Sequence, residues 1–369
     1  MTVPLVDLAA QGADILDEVM PQLERILRTG AFIGGPAVAE FEQAYAAYLG
    51  VAHCVGVANG TDALELALRA SGGGAGDEVV MPANTFIATA EAASRIGAVP
   101  VLVDVDREHL LIDPRLVQHA TTSRTRAVVP VHLFGQTAPV EWLTEQAAAA
   151  GAVVVEDAAQ AQGATRAGRP AGGLGLAAGT SFYPGKNLGA AGDAGAVLTD
   201  DGELARRVRA IAGHGSVTKY VHDVVGVNSR LDAMQAVVLS AKLRRLEQWN
   251  AARRAAALRY DQLLAGVPGV HVPVTDPDNV DVWHLYVVQV DDRDRVAAEM
   301  AAAGVGDGIH YPTPIHLTGA YAGLGYSRGD FPVAEAAARR ILSLPLYPHI
   351  TSSQQHLVVD ALLRAILVR

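Results

Sequence analysis

The sequence predicts an α/β protein: a doubly wound layer domain with a mostly parallel sheet, followed by a smaller α+β domain. Three observations carry this. Seven short runs between about residues 54 and 200 (HCVGVA, DEVVMP, AVPVLVD, RAVVPVHLF, AVVVED, GTSFYP and GAVLT) are continuously apolar rather than alternating, as strands covered on both faces are. Ala-rich helical stretches separate them, the rhythm of helices on both sides of a parallel sheet. After about residue 200 that rhythm stops, and a long helical pattern leads into a mixed last third.

Taken in order, residues 11–29 and 36–49 carry helix-spaced apolar positions and flank the turn TGAFIGGP, which predicts an N-terminal helical arm. The seven runs follow as strands. Residues 230–264 read as one long helix that bridges two domains. A strand at WHLYVVQV and helices near 292–303, 332–341 and 351–367 complete the chain. The stretch HYPTPIHL (310–317) reads as a loop and a pocket wall. The division expected is a large domain over 1–230 and a bridging helix plus smaller domain over 231–369.

Composition narrows the function classes. At 369 residues, half of them hydrophobic and 18% charged, the chain suits a compact enzyme. A net charge of −10 argues against a nucleic-acid groove, which needs basic surface. The one cysteine, Cys54, sits in an apolar run and reads as a small core residue, so no disulfide or cysteine metal cluster is expected. The twelve histidines show no HExxH or facial-triad pattern, and no metal is expected. The start lacks a signal peptide, and no apolar run reaches membrane-spanning length. These predict a cytoplasmic protein without membrane contact.

The chemistry centres on SFYPGKNLGAAGDAG (181–195) and EDAAQAQGA (156–164). Lys186, among glycines and small residues after a strand, reads as an imine-forming amine. Asp157 ends the strand AVVVED, where ligands of open α/β sheets gather. Together they suggest pyridoxal phosphate, which needs an amine, an acid on its pyridinium nitrogen, donors for its phosphate and a flat group over its ring. Gln160 offers a hydrogen bond to the ring oxygen. In ANGTDALELAL (58–68) a strand, a turn and a helix start would aim the N–H groups of Gly60 and Thr61 at an anion, with Ser181 adding a hydroxyl. Phe86, in PANTFIATA, offers the ring face. Plainer readings stand beside each: a surface lysine, a helix N-cap at Asp157, Asn59 or Thr61, a polar Gln160 and a buried core Phe86. GTSFYPGK is not a P-loop, since five residues separate Gly179 from Gly185 and Asn187 stands where Ser or Thr is required.

With ANGTDALELAL, GDEVVMPANTFIATA, EDAAQAQGA, SFYPGKNLGAAGDAGAV and GVNSRLDAMQA in that order, the chain resembles the DegT/DnrJ/EryC1/StrS family of sugar aminotransferases over nearly its whole length. The resemblance implies the type I fold of pyridoxal phosphate enzymes, with a seven-stranded, mostly parallel sheet. It also implies a homodimer with active sites at the subunit interface. Lys186 would then be the imine lysine, Asp157 the pyridinium partner, Gln160 a ring-oxygen contact and Phe86 the stacking residue. Gly60, Thr61 and Ser181 would bind phosphate, and Asn228 would reach the cofactor of the partner subunit. Gly192-Asp193-Ala194-Gly195 departs from the family's Gly-Asp/Glu-Gly-Gly. Because alanine resists positive φ, the loop is expected to differ slightly there. YPGKNLGA, NSRLD and GIHYPTPIHL resemble the subgroup acting on nucleotide-linked 3-keto-6-deoxyhexoses, which implies transfer from L-glutamate to a dTDP-linked ketosugar through pyridoxamine phosphate. Tyr183, His310 and His316 are the candidate substrate contacts. The alternatives are transfer at C4 of a nucleotide sugar or to a cyclitol ketone, a dehydratase, and a non-catalytic regulator that keeps the cofactor.

Overall fold

The computed structural model of the chain describes residues 2–218 and 220–367. Seven strands form the central sheet: β1 (His53–Val57), β2 (Glu78–Pro82), β3 (Val99–Val103), β4 (Thr125–Val128), β5 (Val153–Asp157), β6 (Ala177–Ser181) and β7 (Gly195–Thr199). Their order is β1-β7-β6-β5-β4-β2-β3. All neighbours from β6 to β3 are parallel, and β7 alone is reversed between β6 and β1. Six strands therefore end at one edge of the sheet, the edge where α/β proteins bind ligands. The continuous apolar runs are explained: every residue of β2 and β7 is buried, because helices cover both faces.

Those helices are α4 (Gly60–Ala70), α5 (Ile87–Arg95), α6 (Pro114–Ala120), α7 (Val140–Ala149) and α8 (Gly202–Ala212), preceded by the arm α1 (Leu8–Ala13), α2 (Leu16–Thr29) and α3 (Pro36–Leu49). The arm is broken near Asp14, whose carboxylate takes hydrogen bonds from Trp249 and His349. Gly30 ends α2 in the left-handed region, and Pro36 opens α3. Phe41, Tyr45 and Leu49, spaced four apart, are the buried stripe of α3. The rings of Phe41 and Tyr45 each meet Phe182 edge-on at 5.4 Å, which fixes the segment leading to Lys186. Cys54 is buried in β1, as its apolar run predicts, and burial pushes its thiol pKa up.

The expected bridging helix is two helices, α9 (Ala233–Leu243) and α10 (Leu246–Leu264). The break falls at Arg244 and Arg245, both of which reach Glu18 on α2, so tertiary ion pairing turns the chain where periodicity alone continues. Ala233, Val237, Val238 and Ala241 of α9 pack with Ile15, Val19 and Ile26 of the arm. Farther on, Ala256, Tyr260 and Leu264 of α10 enter a second core with the antiparallel strands β8 (Val270–His271), β9 (Tyr286–Val290) and β10 (Ile341–Leu344) and the helices α11 (Arg293–Ala302) and α13 (Ser352–Leu367). Between α11 and α13, helix α12 (Pro332–Arg340) returns to the large sheet. Its first-turn N–H groups at Val333 and Ala334 both donate to Asp104, just past β3, at 2.8 Å. No helix among the described residues is long and apolar enough to cross a membrane.

Candidate active site

The ends of β1, β2, β4, β5 and β6 surround a cavity of about 730 Å³, which residues 284–285 and 310–311 also line. Its anion end is built by register. Val57, Gly195 and Ser181 lie side by side on β1, β7 and β6. Asn59 caps α4 by accepting the Asp62 N–H at 2.8 Å, and the free N–H groups of the first turn follow at Gly60 and Thr61. Gly60 has no space for a side chain: a β-carbon there would stand 2.5 Å from Ser181 Cβ. One on Gly195 would collide with the Asn59 carbonyl. Gly60, Thr61 and Ser181 thus converge at a helix N-terminus, a cradle suited to a phosphate.

Asp157 is buried at the end of β5. Its backbone is clamped on β4's extension, with its N–H on the Pro130 carbonyl at 2.9 Å and its carbonyl receiving the His132 N–H at 3.0 Å. One carboxylate oxygen accepts the Thr89 hydroxyl at 2.7 Å, and the other accepts the Ala159 N–H at 3.2 Å. Thr85 lies 2.8 Å from Thr89, and because Thr89 gives its hydrogen to Asp157, Thr85 is the donor between them. Burial raises the Asp157 pKa, while these donors and the Lys186 cation oppose the rise. An acid held this way is suited to a cationic N–H donor. Its neighbour Glu156 points to the opposite face and binds His132 and the N–H groups of Gly172, Leu174 and Gly175, each at 2.8 Å. In the pair Glu156-Asp157, one carboxylate fixes the scaffold and the other faces the cavity.

Lys186 is half-buried on a rigid turn. Its N–H donates to the Tyr183 carbonyl at 2.8 Å, Phe182 and Leu188 are core residues, and a β-carbon on Gly189 would strike the Pro184 carbonyl. Burial lowers its pKa from 10.5 to about 8 against the pull of Asp157. The amine is therefore neutral in roughly a tenth of molecules near pH 7, far more than an ordinary lysine, as an imine-forming base requires. Ala194 has negative φ, is buried, and accepts the Phe182 N–H at 2.8 Å. The departure from the family's second glycine brings no strain, so the expected loop difference lacks its cause.

The other predicted residues divide. Phe86 is not a core residue: it is 50% exposed, lines the cavity, and its ring lies 5.1 Å from that of Tyr311. Gln160 accepts the Phe134 N–H at 2.6 Å and donates to the Tyr311 hydroxyl at 3.1 Å, which leaves its second N–H for a ligand oxygen. Tyr183 and His310 line the cavity. His310 bonds Ser343 at 2.8 Å, and burial with the Lys186 cation lowers its pKa to about 4. His316 is corrected: it is buried away from the cavity, bonded to Glu335 at 3.0 Å and packed on Phe331, because the turn after Pro314 directs it toward α12. Asn228 is exposed and does not line its own chain's cavity. Thr85, Thr89, His284 and Tyr311 escaped the sequence reading, although both threonines lie in the motif PANTFIATA, one just before α5 and one in its first turn.

A phosphate cradle, a buried acid and a weakly basic lysine at the carboxyl edge of this sheet define an aminotransferase of the pyridoxal phosphate type I class. The chain belongs to the DegT/DnrJ/EryC1/StrS aminotransferase family, whose model matches residues 13–363. Among its relatives is the dTDP-3-amino-3,4,6-trideoxy-alpha-D-glucose transaminase of Streptomyces venezuelae, 47% identical over 359 residues, 97% of this chain and 95% of that one. The erythromycin biosynthesis sensory transduction protein EryC1 of Saccharopolyspora erythraea is 47% identical over 362 residues, 98% and 99% of the two chains. The crystal structure of S. venezuelae DesV in complex with a ketimine intermediate matches with a TM-score of 0.97 and 46% identity over all of both chains.

Proposed function

We propose that this protein transfers an amino group from L-glutamate to the 3-keto group of a dTDP-linked 6-deoxyhexose, as a homodimer with Asn228 serving the cofactor of the partner subunit. The observation that carries the reading is the pairing, in one cavity, of a lysine of lowered basicity with a buried carboxylate whose donors keep it available for a cation. The names of the relatives support the substrate class: the S. venezuelae protein is a transaminase of a dTDP-3-amino sugar.

Pyridoxal phosphate, when bound, supplies a carbonyl that exchanges between amines and a ring that accepts the electrons of a deprotonated carbon. Asp157 holds the proton on the ring nitrogen and so keeps the ring electron-poor. Gly60, Thr61 and Ser181 bind the phosphate, Phe86 covers the ring and Gln160 donates to the ring oxygen. Lys186 anchors the cofactor between turnovers. With its Nζ free and neutral, Lys186 would take the proton from the substrate carbon and deliver it to the carbon on the other side of the transferred nitrogen. One base serves both halves of the reaction, because the same proton is moved in opposite directions.

The test is the absorbance of the purified holoenzyme. L-Glutamate is expected to convert the cofactor to its amine form, and a dTDP-3-keto-6-deoxyhexose to restore the original spectrum. Restoration only by a 4-ketosugar or a cyclitol ketone would move the acceptor. A cofactor unchanged by glutamate would refute amino transfer and favour a regulator.

A further inference from the structure

His284 lines the cavity and has no role in the reading above. It follows Trp283, whose φ of 48° is in the left-handed region, and its segment pairs with that of Phe134, whose φ is 62°. Two such conformations at non-glycine residues persist only where surrounding structure holds them, and they cluster at functional sites. Here Val282 donates to the Gly135 carbonyl at 3.1 Å and Leu285 to the Phe134 carbonyl at 3.2 Å. A β-carbon on Gly135 would stand 2.7 Å from the His284 nitrogen, so glycine is needed to bring the segments together.

The tautomer of His284 follows from a hydrogen-bond chain with a fixed direction. Asn187 Nδ2 donates to the Val282 carbonyl and to Asn250 Oδ1, each at 2.9 Å. Asn250 Nδ2 in turn donates to the Gln162 carbonyl at 2.9 Å. Backbone carbonyls only accept, so both amides are oriented without ambiguity, and Asn187 Oδ1 is an acceptor. Nδ1 of His284, 3.2 Å from that oxygen, must carry the hydrogen. Nε2 is then a bare lone pair with no partner among the described residues. Burial and the cations of Lys186 and Arg253 disfavour a second proton and keep the ring neutral.

We propose that His284 is a specificity residue of the sugar half-reaction, with Nε2 accepting the hydrogen bond of a ketosugar hydroxyl at the Lys186 end of the cavity. A carboxylate has no hydrogen to offer this lone pair, so the contact favours the hydroxyl-rich acceptor over the dicarboxylate donor. A cationic histidine would do the reverse. The inference rests on the amino-transfer reading and deepens it.

Single-turnover spectroscopy on the holoenzyme separates the two halves. His284→Ala is expected to lower the rate constant per substrate concentration for the dTDP-3-ketosugar by about tenfold to a hundredfold, with the L-glutamate half kept within about twofold. His284→Gln, which can present an amide oxygen near the Nε2 position, is expected to recover most of the loss. Calorimetric affinity for the dTDP-aminosugar is expected to fall in parallel for His284→Ala. A ¹⁵N spectrum of the wild-type histidines should give His284 an unprotonated Nε2. Equal losses in both halves, no loss in either, or a protonated Nε2 would overturn the proposal. A wild-type cofactor that L-glutamate leaves unchanged would overturn the amino-transfer reading and the His284 role with it, and is recognised before any variant is made.

Discussion

Replacing Thr89 with Val deletes one hydrogen bond to the Asp157 carboxylate and leaves the volume nearly unchanged. The bond is short, at 2.7 Å, buried and given to an ionised group, a class worth about 1.5–3 kcal/mol. Taking the lower figure, and about 1.4 kcal/mol per pKa unit, the Asp157 pKa should rise by about one unit. The sign follows from the charged form: Thr89 stabilises the carboxylate, burial already raises the pKa, and losing the donor raises it further. The low-pH limb of kcat/KM is therefore expected to move up by about one unit, with the variant approaching the wild-type rate at alkaline pH. Thr85→Val, one bond farther away, should move the limb by less than half as much. Thr89→Val also strands the Thr85 hydroxyl, at a stability cost of about 1–3 kcal/mol. The assay is the glutamate half-reaction followed by absorbance across pH. A uniform drop at every pH with an unmoved limb would refute the reasoning and assign Thr89 to packing.

Gly60→Ala forces a β-carbon to within 2.5 Å of Ser181, and the overpacking cost of about 1–3 kcal/mol is expected as a loss of about tenfold or more in cofactor affinity, read by equilibrium dialysis against pyridoxal phosphate. In the cofactor-free protein, Lys186 has a pKa near 8 rather than 10.5. The folded state therefore binds this proton less tightly than the unfolded chain, and its stability should rise with pH between those two values. Lys186→Met should flatten that rise in a series of thermal melts and abolish both half-reactions; a rise of unchanged size would show that another group causes it. His316→Ala should lower stability by about 1–3 kcal/mol through the lost Glu335 bond, while KM for the ketosugar stays unchanged. A raised KM with normal stability would return His316 to the substrate site.

By itself the sequence determined the layer architecture and the principal chemical groups. Both are written in local signals: continuous apolar runs for strands covered on two faces, glycines where backbones meet, and an acid and a lysine at strand ends. The structure brings Lys186, Asp157, Gly60, Thr61, Ser181, Phe86 and Gln160 around one cavity. What only tertiary structure decided is which partner each polar group meets. The break at Arg244 and Arg245 depends on Glu18, more than two hundred residues away in the chain. His310 and His316 lie in one Pro-rich loop and read alike, yet one faces the cavity and the other bonds α12. The tautomer of His284 is set by Asn187, Asn250 and the Gln162 carbonyl, residues from three separate stretches of the chain. Periodicity records which face of an element is dry, because burial of apolar surface is additive and has no direction. Hydrogen bonds are directional and depend on the partner, so their outcome exists only once the elements have packed.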